Sequence, residues 1–103
     1  MANIFDLPAN LLPQELIESL LSQDDILIER IISTGQTTPP GEWYDQNKNE
    51  WVIVLQGEGE LSYADNSRIK LTAGDYLLIP SHQKHRVEYT STEPPCIWLA
   101  IFF

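Results

Sequence analysis

Glu50-Trp51-Val52-Ile53-Val54-Leu55-Gln56-Gly57 holds five consecutive apolar residues, mostly β-branched, between polar flanks and a closing glycine. That composition and length describe a strand. Successive strand side chains point to opposite faces, so a run apolar at both parities predicts a strand covered on both sides. Gly57-Glu58-Gly59, directly after it, reads as a hairpin turn. Working outward, the stretch from Asp25 to Ser33 is rich in isoleucine, and Cys96 to Phe103 repeats the doubly apolar pattern. Glu60 to Ala64, Arg68 to Leu71, Tyr76 to Ile79 and His85 to Thr90 read as further short strands. They are punctuated by Thr37-Thr38-Pro39-Pro40-Gly41, Asp65-Asn66-Ser67, Gly74-Asp75, Pro80-Ser81 and Pro94-Pro95. Strands at this spacing predict an all-β sandwich or barrel, with no βαβ units.

One segment reads as a helix. Pro13 suits a first helical position, Glu15 suits the first turn, and Leu16, Ile17, Leu20 and Leu21 make a helical stripe ending near Ser22-Gln23-Asp24. The expected organisation is therefore an N-terminal segment, residues 1–24, packing its short helix on the barrel or on a partner subunit, followed by a barrel over 25–103. The two doubly apolar strands need cover on an outer face, which that helix or a second copy would supply; a homodimer is the preferred expectation. With 103 residues and 43% apolar content, one core is expected.

The net charge of −9 comes from fifteen acidic and six scattered basic residues, which argues against nucleic acid and anionic membrane as partners. Cys96 is the single cysteine, so no intrachain disulfide forms, and its apolar neighbours mark a packing thiol. The first residues lack the cationic region and apolar run of a signal peptide, which leads to the expectation of a cytoplasmic protein.

Two motifs carry a family resemblance. Glu50 and Gly57 have six residues between them that hold the apolar run, and Gly74-Asp75-Tyr76-Leu77-Leu78-Ile79-Pro80-Ser81-His82-Gln83-Lys84-His85 follows after a hairpin. This pattern resembles the cupin superfamily, whose first motif ends in Glu-x6-Gly and whose second runs Gly-x5-Pro-x-Gly-x2-His. The match holds at Glu50, Gly57, Gly74, Pro80 and His85, with His82 standing where glycine is usual. It covers about residues 25 to 103 and is similar to small single-domain, RmlC-like cupins of bacterial type. The resemblance implies a double-stranded β-helix, that is, a jelly-roll barrel with a pocket.

The resemblance also implies a metal set of two histidines from a His-x-His pair, plus Glu50 and His85. Both histidines of that pair are missing. A spacer of three residues puts their positions at Tyr44 and Gln46; a spacer of four puts them at Trp43 and Asp45. The remaining candidate ligands are Glu50 and His85, with Gln46 or Asp45 as a weaker oxygen donor and hence weaker retention of iron, manganese, nickel or zinc, because an amide donates less than an imidazole. His82 either turns inward as a replacement imidazole or caps a turn at the rim. His85 shares parity with Val87 and Tyr89, placing those three on the inner face, and Trp43, Asp45, His82 and Tyr89 are expected around the pocket.

Three functions remain open on this reading. One is a module binding a small molecule in the barrel, directly or through a divalent metal. Another is a metal-dependent oxygenase, isomerase or lyase. The last is metal-free acid–base catalysis by Tyr44 and His85, as the resemblance to cupin sugar epimerases implies, although the basic residues that hold their nucleotide diphosphate are absent here.

Overall fold

The computed structural model describes residues 1–11 and 13–103. Eight strands follow in order: β1 Leu16–Gln23, β2 Ile26–Ser33, β3 Glu50–Gln56, β4 Glu58–Tyr63, β5 Arg68–Thr72, β6 Tyr76–Ile79, β7 His85–Thr90 and β8 Cys96–Phe102. Among the described residues there is no helix, hence none long and apolar enough to cross a membrane.

The strands form two sheets, ordered β1-β2-β8-β3-β6 and β5-β4-β7, and every pairing is antiparallel. The doubly apolar runs became β3 and β8, which lie side by side in the larger sheet. Their inward residues, Val52, Val54, Trp98 and Ala100, meet Leu61 and Leu71 from the smaller sheet in a buried core. Cys96 belongs to that core, and burial pushes its thiol up to about 12, so it packs as a small hydrophobe.

The expected N-terminal helix is a strand. Leu16 to Gln23 pairs with β2, and a register shift between Ser19 and Leu21 marks a bulge at Leu20. The spacing of Leu16, Ile17, Leu20 and Leu21 reads equally as a helical stripe or as a strand whose parity resets at a bulge, and pairing with an exposed edge decided between them. The residues expected to end the helix form the hairpin between β1 and β2, where Asp24 takes the left-handed conformation at φ 54°.

The turn expected at Gly57-Glu58-Gly59 is also different. β3 and β4 do not pair; the chain leaves one sheet and enters the other at Gly57, φ 77°. Gly59 sits inside β4, where a Cβ would come within 2.2 Å of the Trp98 indole. The second glycine thus makes room for the aromatic floor of the core. The hairpin at Asp65-Asn66-Ser67 forms as expected: Asp65 Oδ1 accepts from the Ser67 amide at 2.9 Å, with Asn66 at φ 69°.

The outer face of the larger sheet is covered over β2 and open farther along. Over β2, the guanidinium of Arg30 donates to the carbonyls of Ile4 and Asp6 and pairs with Glu18, tying the N-terminal segment to that strand. Farther along, Trp51, Ile53, Tyr76, Leu78, Leu99 and Ile101 share that face through the β3–β6 and β3–β8 registers. Tyr76 is 64% and Leu78 51% exposed.

Candidate functional site

Between the sheets the core opens into a cavity of about 110 Å³. Its apolar walls come from strands of both sheets, with Ile31, Val52, Leu61 and Val87 around Trp98 and Phe102. Its polar lining is Glu15, Glu29, Glu50, Tyr44, Gln46 and His85.

Local backbone geometry explains which side chains enter. The segment after Trp43 runs beside the start of β7: the Tyr44 amide donates to the His85 carbonyl at 2.8 Å, and the His85 amide returns to the Tyr44 carbonyl at 3.1 Å. The His82 amide donates to the Gln46 carbonyl at 2.7 Å. In such an extended stretch residues two apart share a face. Tyr44 and Gln46 line the cavity, whereas Trp43 and Asp45 face away from it, which selects the three-residue spacer. The Arg86 guanidinium lies 5.8 Å from the centre of the Trp43 ring, and Asp45 Oδ1 meets His82 Nδ1 at 2.9 Å in the open. His82, at φ 63°, occupies the left-handed turn where the family pattern has glycine, and its ring stays at the rim.

Tyr89 also lies away from the cavity and is 48% exposed. Leu61 pairs with Val87 but Glu60 pairs with Tyr89, so Glu88 is an extra residue in β7 and parity resets there. His85 and Val87 keep the inward face; Tyr89 turns outward. Of the pocket residues expected from sequence, Trp43, Asp45, His82 and Tyr89 thus lie outside the cavity, while Tyr44, Gln46, Glu50 and His85 line it.

Glu50 opens β3 opposite Ile79 on one side and Phe102 on the other. Its side chain is 10% exposed and that of His85 5%, with His85 Nε2 lying 3.6 Å from Glu50 Oε1. The other ring nitrogen, Nδ1, is 2.9 Å from the Gln83 carbonyl. Both imidazole nitrogens therefore face acceptors, an arrangement best satisfied by imidazolium, which donates from both. Burial alone pulls His85 down, but Glu50 and the Gln83 carbonyl together outweigh it, and the imidazole is raised above its ordinary range. The Tyr44 ring stacks on His85 with centroids 5.5 Å apart. Burial first, then the neighbouring carboxylates of Glu15, Glu50 and Glu42, raise the Tyr44 hydroxyl, which stays protonated.

Two cavity residues escaped the sequence reading. Glu29 stands among the isoleucines of β2 and is raised by burial and then by the charge of Glu50. Glu15, just before β1, is raised by burial despite the Ser33 hydroxyl 3.5 Å away. A charge inside an apolar strand was the available signal for Glu29. Glu15 had none, because its position follows from the β1–β2 pairing.

The cupin resemblance implies a metal, so the donors were tested as a ligand set. They are one imidazole, one carboxylate 3.6 Å from it and one amide. No three His, Cys, Asp or Glu side chains among the described residues converge closely enough to hold an ion. Sites that retain a transition metal supply at least three strong donors in fixed geometry, and this set does not fit one.

Comparison with known proteins agrees with the architecture. A family model described as "Cupin domain" matches residues 30–102. A crystal structure from Ralstonia eutropha JMP134, named "putative mannose-6-phosphate isomerase", is 39% identical, with a TM-score of 0.91 over 99% of this chain and 95% of that one. A cupin superfamily protein from Desulfitobacterium hafniense DCB-2 is 21% identical with a TM-score of 0.77, covering 94% and 83%. An RmlC-like cupin family protein with a double-stranded β-helix from Methanocaldococcus jannaschii is 14% identical with a TM-score of 0.72, covering 99% and 90%. A search of curated proteins finds no match.

Proposed function

The chain belongs to the cupin domain family, and from that premise we propose that it is a binding module taking a small molecule directly into the barrel cavity, with no resident metal ion. The observation that carries this reading is the cavity itself: apolar walls with a few polar groups concentrated around Glu50 and His85, the usual make-up of a ligand site. Its volume is close to that of cavities that hold a single small ring. Among the described residues no lysine or arginine lines it, and the one imidazole has its ring nitrogens directed at Glu50 and the Gln83 carbonyl, so a phosphate group would find no free cationic donor inside. That disfavours, for this chain, the sugar-phosphate chemistry named for the Ralstonia protein. The test is elemental analysis of protein purified without chelator, paired with thermal shift against divalent metals and a library of small metabolites. Stabilisation by metabolites with no stoichiometric metal is expected. Stoichiometric iron, manganese, nickel or zinc in repeated preparations would overturn the reading.

The stacked Tyr44–His85 pair favours one second reading, metal-free proton transfer with the protonated Tyr44 hydroxyl as acid and His85 as base at a pH above its raised range, where the ring is neutral. On that reading, a ligand found by thermal shift exchanges a proton with deuterated water in the wild type and not in His85→Gln.

We also propose that the protein works in the cytoplasm as a homodimer joined through the outer face of the larger sheet. The strip of Trp51, Ile53, Tyr76, Leu78, Leu99 and Ile101 carries no charged side chain, and a chain of net charge −9 can set such a strip against its own copy without repulsion at the contact.

A further inference from the structure

We infer that the cavity selects a small organic cation, an amine or quaternary ammonium on a short apolar body. This inference rests on the small-molecule-binding reading and names its ligand class. Three carboxylates, Glu15, Glu29 and Glu50, line one cavity from three separate parts of the chain: the residue before β1, β2 and β3. The His85 imidazolium can balance one of the three, and among the described residues no lysine or arginine lines the cavity to balance the others. Drawing more carboxylates than cations out of water costs stability, and like charges so confined repel one another, as Glu50 does Glu29. A ligand bearing one positive charge relieves both penalties.

Two further observations point to the same occupant. Glu50, nine-tenths buried, pairs its Oε1 with His85 Nε2 at 3.6 Å, a long ion-pair contact that leaves the carboxylate acceptor capacity toward the cavity. The walls also present aromatic rings, Trp98, Phe102 and Tyr44, whose π-faces attract ammonium groups and accommodate an alkyl body. A metal ion would not serve as this cation. The carboxylates are distributed around the cavity and do not converge in a group of three close enough to hold one.

The experiment is isothermal titration of the intact protein with matched probes: benzylamine and choline as cations, benzyl alcohol as the neutral isostere, benzoate and inorganic phosphate as anions, and Mg²⁺ as a simple cation. A charge-assisted hydrogen bond from the ammonium makes the amine bind about tenfold tighter than the alcohol. Glu29→Gln and Glu15→Gln each reduce that preference by about threefold, and the double variant abolishes it. Both variants are expected to fold, since each removes a half-buried charge, and their thermal unfolding provides the control. Equal affinity for amine and alcohol, or tighter binding of an anion or of Mg²⁺, overturns the cation assignment while leaving the binding reading in place. Absence of binding by every probe overturns both.

Discussion

Replacing Glu50 by glutamine isolates the contact at the centre of the cavity. In the wild type an imidazolium on His85 faces the Glu50 carboxylate at 3.6 Å, with side chains only 5% and 10% exposed, so solvent screening is slight. The folded imidazole is raised, which means that folding favours its protonated form. The stability from this contact is therefore fully present below the unfolded value of about 6.5 and lost as pH climbs through the folded one. The glutamine variant leaves a buried imidazolium with no carboxylate at pH 5.5, forfeiting a charge-assisted contact worth about 1.5–3 kcal/mol. For a domain of this size that is a drop of roughly 6–12 °C in melting temperature. At pH 8.5 the neutral ring can accept a hydrogen bond from the new amide, and Glu29 is freed from the repulsion of Glu50, so the gap closes to less than about 1 kcal/mol. Thermal unfolding by circular dichroism at four pH values between 5.5 and 8.5 measures the gap. Titration of the histidine ring signals, of which the chain has two, follows His85 directly. A gap that stays constant across pH, or a wild-type His85 that titrates below the free-imidazole range, would refute the reasoning.

Three further outcomes are expected. Gly59→Ala drives a methyl group to 2.2 Å from the Trp98 ring, and the resulting overpacking costs about 1–3 kcal/mol, read as a lower melting temperature with altered tryptophan fluorescence; an unchanged melting point would contradict the packing. Asp45→Asn and His82→Gln break an exposed pair at the rim, so stability shifts by less than about 0.5 kcal/mol and affinity for any cavity ligand changes less than about twofold. Leu78→Glu places a charge in the apolar strip of the larger sheet, and on the proposed dimer sedimentation should show a folded monomer for the variant beside a dimer for the wild type; a wild-type monomer would refute the dimer, and a variant dimer would move the interface elsewhere.

The strands were legible because β-branched runs bounded by glycine, proline and Asx turns leave little alternative, and β6 and β7 fall on the residues expected for them. What failed was parity, and it failed at bulges. One extra residue at Leu20 made a strand look like a helical stripe, and one at Glu88 turned Tyr89 outward. A bulge leaves no reliable trace in a single sequence, because it is set by pairing with a distant strand. The site divided along the same line. Glu50 and His85 were legible from motif spacing, whereas Glu15 and Glu29 reach the cavity through the register of β1, β2 and β8.

The segment after Trp43 connects these observations. Its pairing with β7 holds Tyr44 and Gln46 where the family pattern has two imidazoles. Two neutral nitrogen donors there would complete a set able to share a metal with Glu50. A phenol and an amide cannot, and the carboxylates at Glu15 and Glu29 add negative charge with no gain in convergence. On the proposed reading the cavity takes a mobile organic cation in place of a fixed metal ion. The proton on His85 is the smallest cation in that cavity, and its raised affinity for the ring is the same force that would hold an ammonium ligand.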